Sequence, residues 1–254
     1  MRFDGRTAIV TGGNGSIGSA VARSLAAEGC AIGLIDLQPS SEVVADIERL
    51  GAQAVVFPAD VANAKALSAA VRGAAQALGG LDIIVNAAGI TSFGSAAALD
   101  ETEWDRVLAI NLKGVFLACQ AAIAPLRARG GGRIVNIGSV LAKNGGNARP
   151  WIDPAEQNAS ANVAYGVSKA GVHALTSYLA RELAPFGITV NCVSPGPIAS
   201  PMTTAFPKSL ASLIPLGRLG RPAEVAAAVK FLASDEAAFI TGEVLDINGG
   251  SWSD

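Results

Sequence analysis

The sequence predicts an α/β fold, a single doubly wound domain with helices on both faces of a seven-stranded, mostly parallel sheet. Three observations carry this reading. Short β-branched runs alternate with longer Ala-rich stretches of helical spacing along the whole chain, the pattern of repeated βαβ units. The first such run leads straight into a glycine-rich turn and a helix. No linker, repeat or shift in composition interrupts the alternation over 254 residues, so residues 1–254 read as one domain.

In chain order, the strands are expected at Thr7–Thr11, Ala31–Asp36, Ala54–Pro58, Asp82–Asn86, Gly132–Ile137, Thr189–Ser194 and Val244–Ile247, each a short run dominated by Val, Ile or Ala. Between them the helical spacing places helices at Ile17–Glu28, Ser41–Leu50, Ala64–Leu78, Glu101–Ala128, Ala161–Ala184 and Pro222–Ala233. Two segments break the rhythm. Residues 141–162 are rich in Gly, Asn and Pro, and residues 195–215 carry five prolines. Long loops within a compact domain are usually functional or disordered, and these two are candidates for the substrate side.

Composition excludes several classes of function. The net charge is 19 − 21 = −2 and no run of Lys or Arg occurs, so nothing offers an electrostatic footprint to nucleic acid or anionic lipid. The longest uninterrupted apolar runs, Val115–Cys119 and Val225–Val229, fall far short of the roughly 20 residues that cross a bilayer. The first residues reach Gly12 too soon for a signal peptide's apolar core, and a cytoplasmic location is expected. At 50% apolar and 16% charged, the surface must be weakly charged, which oligomerisation would cover. Cys30, Cys119 and Cys192 are widely spaced and read as buried free thiols rather than metal ligands. With His173 the only histidine, acid–base chemistry falls mainly to Tyr, Lys, Asp or Glu.

The turn after the first strand reads Thr11-Gly12-Gly13-Asn14-Gly15-Ser16-Ile17-Gly18. Glycines let backbone approach a pyrophosphate, and the N–H groups opening the next helix favour its charge, so Gly12, Asn14, Gly15, Ser16, Ile17 and Gly18 are candidate dinucleotide ligands. Asp36 ends the second strand 36 − 18 = 18 residues after Gly18, where a carboxylate can accept bonds from both adenosine ribose hydroxyls. It would repel a 2′-phosphate, and the following Leu37 and Gln38 supply no cation. NAD is therefore expected in preference to NADP.

With these residues go Asp60-Val61, Asn86-Ala87-Ala88-Gly89, Asn111, Ser139, Tyr165 to Lys169, Asn191 to Pro197 and the ending Ile240-Thr241-Gly242 through Asn248-Gly249-Gly250. Along nearly its whole length the chain resembles the short-chain dehydrogenase/reductase family. The resemblance implies a Rossmann sheet of strand order 3-2-1-4-5-6-7, and a homotetramer. It also implies that Asp60 and Val61 contact adenine, that Asn86, Ala88 and Gly89 line the cofactor cleft, and that the turn from Pro195 and Gly196 through Ile198 to Ser200 covers the nicotinamide. The chain departs from the family pattern at Ser16, where Gly is usual, at Ala87, often Asn, and at Ser200, commonly Thr. Modest changes in cofactor affinity are expected from these.

Tyr165 and Lys169 are four residues apart and so share one helix face. A phenol's pKa of about 10 is too high for a base at neutral pH, and a nearby ammonium favours ionisation. The resemblance adds the roles. Tyr165 removes the hydroxyl proton, Ser139 hydrogen-bonds the reacting oxygen, Lys169 binds the nicotinamide ribose and lowers the tyrosine pKa, and Asn111 holds a water linking Lys169 to solvent. His173, four residues beyond Lys169, is expected to point away from the site, in a packing or interface role.

Ser139 and Tyr165 lie 165 − 139 = 26 residues apart, longer than the family usually shows. The added segment holds Asn144, Asn147, Arg149, Trp151, Asp153, Glu156, Gln157 and Asn158. With its ends tied to two catalytic candidates it should overhang the substrate, Arg149 and Trp151 being the candidate contacts; an interface or surface insertion is the alternative. Such a rim suits a small polar substrate, a sugar, polyol or hydroxy acid. The Pro215-Leu216-Gly217-Arg218 segment and the C-terminal segment also look like the 3-oxoacyl-carrier-protein reductase branch, although Asp36 counts against that branch's usual NADPH. A non-catalytic dinucleotide sensor is disfavoured by the intact set of Asn111, Ser139, Tyr165 and Lys169.

Overall fold

The computed structural model describes residues 1–146, 160–200 and 211–253. Its strands are β1 (Thr7–Thr11), β2 (Ala31–Asp36), β3 (Ala54–Pro58), β4 (Ile83–Asn86), β5 (Gly132–Ile137), β6 (Ile188–Pro195) and β7 (Val244–Ile247). They form one sheet of order β3-β2-β1-β4-β5-β6-β7. Every pairing is parallel, so the sheet expected to be mostly parallel is wholly so. All strand C-termini share one edge, and the order reverses between β1 and β4, which opens the crevice where such sheets bind ligands.

The helices are α1 (Ser16–Ala26), α2 (Ser41–Arg49), α3 (Ala64–Ala77), α4 (Glu101–Leu108), α5 (Gly114–Ala128), α6 (Leu141–Asn144), α7 (Val163–Leu183) and α8 (Pro222–Leu232). Sequence spacing located all of these except the one-turn α6. The expected single helix Glu101–Ala128 is continuous but carries a π turn at Ala109–Lys113 joining α4 to α5.

Successive strand residues point to opposite faces, and the two cores divide accordingly. Val10, Leu34, Val85, Val135 and Val193 pack with Val21 and Leu25 of α1, Ile47 of α2 and Val229 of α8. On the other face Ile9, Ile35, Ile84, Ile134 and Cys192 meet Leu67 of α3, Val115 and Leu126 of α5, and Val172 and Leu179 of α7. Full burial of each such aliphatic contributes roughly 1.5–3 kcal/mol. Among the described residues, Glu101–Ala128 is the one helix with the length and apolarity to cross a membrane, an 18-residue window averaging 1.8 in mean hydropathy. Here its Val115, Ala118, Cys119, Ala122 and Leu126 are buried in the core of the sheet.

A polar chain crosses this second core. Asn86 Nδ2 donates to Asn136 Oδ1 at 2.8 Å and to Cys119 Sγ at 3.2 Å. Asn136 Nδ2 donates to Thr176 Oγ1 at 2.9 Å, and the Thr176 hydroxyl donates to the Val172 carbonyl. The chain joins β4, β5 and α7, the elements leading to Gly89, Ser139 and the Tyr165 helix. Replacing Asn136→Ala takes the acceptor from one buried Asn86 N–H, at about 1–3 kcal/mol, while Thr176 keeps its bond to the Val172 carbonyl. Urea unfolding should show a loss of roughly 1–3 kcal/mol; a loss below 0.5 kcal/mol would mean that the chain does not secure the sheet.

Candidate active site

The nucleotide end is shaped by what its glycines lack. Gly12 sits at φ +65°, and a Cβ there would stand 2.6 Å from Ala88 Cα, so the turn after β1 lies directly on the segment after β4. A Cβ on Gly18 would strike the Gly12 carbonyl, and one on Gly13 would come within 2.8 Å of the Leu34 side chain. Ser40, Asn63 and Asp100 cap α2, α3 and α4 with side-chain oxygens, whereas α1, with Gly15 as its N-cap, has no side-chain cap, and neither has α7. Its first-turn N–H groups, through Ser16 and Ile17, are left for a phosphate. This cradle fits a dinucleotide pyrophosphate.

Asp36 stands where expected, at the end of β2. Its carboxylate accepts from Asn14 N at 3.0 Å and Gln38 N at 3.2 Å, which fixes it beside the glycine turn. Leu37 next to it is exposed. Asp60 is exposed beyond β3 and accepts from Ala62 N at 2.8 Å, while Val61 is buried and a Cβ on Gly114 of α5 would come within 3.0 Å of it. One expectation is corrected. Asn86 does not line the cleft with its side chain: the amide is 1% exposed and turned into the core toward Asn136 and Cys119, where two polar partners replace water. Gly89, by contrast, lies at the centre, where a Cβ would stand 3.3 Å from Asn111 Oδ1 and 3.5 Å from Lys169 Nζ.

At the chemical end, Ser139 follows β5 and Tyr165 and Lys169 lie on α7, brought together across the strand ends. Lys169 Nζ is buried, donates to the Ile137 carbonyl at 2.8 Å and stands 5.8 Å from the centroid of the Tyr165 ring. Burial pushes the ammonium down to about 8. Tyr165 keeps some surface, but protein crowds its hydroxyl and raises its pKa, opposed by a hydrogen bond from Ser139. Burial, rather than Lys169 5.8 Å from the ring centroid, sets the direction here.

Asn111 lies in the π turn, fully buried. Its Oδ1 accepts from Ile90 N at 2.8 Å, and its Nδ2 donates to Ile90 O at 2.9 Å and Ser168 Oγ at 3.2 Å. The side chain is spent clamping the segment after Gly89, so a water held by Asn111 would need its main chain instead. His173 takes the packing role expected of it. Its ring lies against Gly138, the residue before Ser139, where a Cβ would collide with Nε2 and would come within 2.8 Å of Cys192 Sγ. Burial pushes the Cys30, Cys119 and Cys192 thiols up to about 12, as suits buried free thiols.

The turn after β6 is held by Gly196 N donating to Ile247 O and Gly220 N to Pro197 O, both at 3.0 Å, with Ile198 buried in a bridge to Gly220. Ser200 closes that described segment. Arg149, Trp151 and most of the added polar segment lie outside the described residues. Sequence reasoning missed the Ile90 clamp, the Gly138–His173 contact and the pairing of Gly94 N with Ala161 O at 2.7 Å, which joins the segment after β4 to the approach of α7. A signal existed only for Ser168, which sits beside Lys169 and donates to the Tyr165 carbonyl at 2.7 Å.

Comparison with known proteins agrees with this geometry. A family model described as "Enoyl-(Acyl carrier protein) reductase" matches residues 12–251. Nodulation protein G of Rhizobium sp. (strain N33) is 39% identical, covering 98% of both chains. A 3-oxoacyl-acyl-carrier-protein reductase of Vibrio cholerae is 37% identical over 99% of both. Among solved structures, a short-chain dehydrogenase/reductase from Serratia marcescens superposes with a TM-score of 0.90 at 35% identity, with complete coverage of both chains. The chain belongs to the short-chain dehydrogenase/reductase family of oxidoreductases, which bind a nicotinamide dinucleotide.

Gly12→Ala tests the cradle. The new methyl meets Ala88 backbone and forces a non-glycine residue to positive φ, a cost of about 1–3 kcal/mol. Affinity for NADH, followed by fluorescence, should fall at least tenfold; unchanged affinity would mean that the turn does not approach the dinucleotide.

Proposed function

We propose that the protein is an NAD-dependent oxidoreductase interconverting a secondary alcohol and its ketone. The observation that carries the reading is the convergence of Ser139, Tyr165 and the buried Lys169 at the strand edge that ends in Asp36. When bound, the nicotinamide dinucleotide supplies the hydride acceptor or donor. In oxidation Tyr165 takes the proton of the substrate hydroxyl as its carbon gives up hydride; in reduction the same oxygen returns the proton. Ser139 donates a hydrogen bond to the reacting oxygen, where charge develops. Lys169 brings positive charge beneath Tyr165 and presents donors to the nicotinamide ribose.

NAD is preferred because Asp36, already held by Asn14 N and Gln38 N, presents a negative charge where a 2′-phosphate would sit. The polar composition of residues 147–158 favours a sugar, polyol or hydroxy acid. A second reading, reduction of a 3-oxoacyl thioester, is favoured by the printed activity of relatives such as that of Vibrio cholerae. Assembly into a homotetramer suits the outer faces of α4, α5 and α7, where Leu108, Leu112, Phe116 and Leu175 line a groove of about 550 Å³.

Purified protein assayed against sugars, polyols, hydroxy acids and acetoacetyl-coenzyme A, with each of NAD(H) and NADP(H), separates these readings by reduced-nicotinamide absorbance. Turnover of polar alcohols with NAD is the expected result; activity confined to the thioester with NADPH would overturn it. Asp36→Ala should move the preference toward NADP by about 1–3 kcal/mol, the worth of charged hydrogen bonds. Tyr165→Phe should cut turnover about a hundredfold to ten-thousandfold while leaving the Kd for NADH unchanged. A variant within threefold of the wild-type rate would remove Tyr165 from the chemistry.

A further inference from the structure

The short helix α6 starts two residues after Ser139, and its Leu141 N–H donates to Ser139 Oγ at 3.2 Å. That bond occupies an acceptor position on the hydroxyl and leaves its one proton to be given elsewhere. A single helical turn has no stability of its own in water, so its position must be set by contacts beyond it. One is the donation of Val140 N to Pro195 O at 2.9 Å, which continues the β5–β6 pairing. A second is packing against α7, where Leu141 O lies beside Gly166, and a third is a side chain. Lys143 reaches from α6 to the edge strand β7, its Nζ 2.9 Å from Asp246 Oδ2 and 3.5 Å from the Val244 carbonyl.

The pair is largely withdrawn from solvent, the two side chains being 12% and 22% exposed. Asp246 stands in register with Ser194 of β6, and its Oδ1 is buried without a hydrogen-bond partner among the described residues. A carboxylate in that position leans on its ion partner, and removal of one member of such a pair costs far more than removal of both. A surface ion pair would not show this dependence.

We propose that the Lys143–Asp246 pair positions Ser139 for its role in the site. The pair ties α6 to β7, α6 holds the Leu141 N–H against Ser139 Oγ, and the hydroxyl proton is thereby directed at Tyr165 and the reacting oxygen. Lys143 and Asp246 touch neither substrate nor cofactor in this scheme; they act through Ser139. The proposal rests on the reading of Ser139 as the hydrogen-bond donor to the reacting oxygen.

The test compares Lys143→Met with the double variant Lys143→Met/Asp246→Leu in the full-length protein. Hydrogen exchange of the Leu141–Asn144 amides should speed up at least tenfold in Lys143→Met, with the Gly12–Gly18 region unchanged. For the panel compound that the wild type oxidises fastest, kcat should fall 5- to 20-fold with the Kd for NADH within twofold. Lys143→Met should also lower Tm. The double variant, which leaves no unpaired buried charge, should regain Tm while kcat stays low. Recovery of kcat together with Tm, or wild-type exchange and kcat in Lys143→Met, would overturn the proposal. If the wild type oxidises no compound of the panel, the functional reading fails instead, and the exchange of Leu141 alone decides whether the ion pair holds α6.

Discussion

The buried ammonium of Lys169 is the constraint around which the rest of this molecule is arranged. A charge withdrawn from water must be met by oxygen ligands, and the described partner of Nζ is the single carbonyl of Ile137 at the end of β5. That shortfall pushes the group down to about 8 and leaves donors available to further oxygens. Placing such a group requires α7 to lie close against β5 and β6, which Val172 and Leu179 accomplish through the apolar core while Thr176 is fixed by Asn136. It also requires space above the ammonium. Gly89 lies over it, where a Cβ would press on Asn111 Oδ1 at 3.3 Å, and the Asn111 amide holds the Gly89–Ile90 segment in place by bonding both polar groups of Ile90.

The two ends of the crevice solve different problems. At the nucleotide end recognition is carried by backbone: an uncapped helix start, a glycine at positive φ and a turn packed directly on the segment after β4. At the chemical end it is carried by side chains whose protonation is set by burial, Tyr165 raised and Lys169 lowered. The parallel sheet brings both to one edge, since every strand delivers its C-terminus to the same side and the reversal between β1 and β4 separates the flanking loops. The family and the class of oxidoreductase fit that arrangement.

Much of this was legible in the sequence because it depends on local pattern. The β-branched runs gave the strands to within about two residues, and the glycine spacing and the distance to Asp36 gave the nucleotide end. The spacing of four between Tyr165 and Lys169 placed them on one face of α7. What escaped was set by tertiary context. The π turn at Ala109–Lys113 leaves no mark in composition, since Ala-Ile-Asn-Leu-Lys is ordinary helical sequence. The direction of the Asn86 amide depends on Asn136 and Cys119, 50 and 33 residues away. The burial of the Tyr165 hydroxyl was not legible either, because a spacing reveals the neighbouring cation but not the protein that excludes water. The packing role of His173 was expected, but its partner was not, because only the absence of a side chain at Gly138 lets the ring lie there.

The measurement that bears most directly on this account is the titration of Lys169 itself. Lysine labelled at the ε carbon can be followed by NMR against pH, with the Lys169→Met variant identifying the resonance. A buried ammonium with one carbonyl partner should titrate near 8, well below the ordinary lysine value of about 10.4. A midpoint at 10 or above would mean that Lys169 is solvated or paired with an anion, and the picture of a desolvated cation poised beneath Tyr165 would be contradicted.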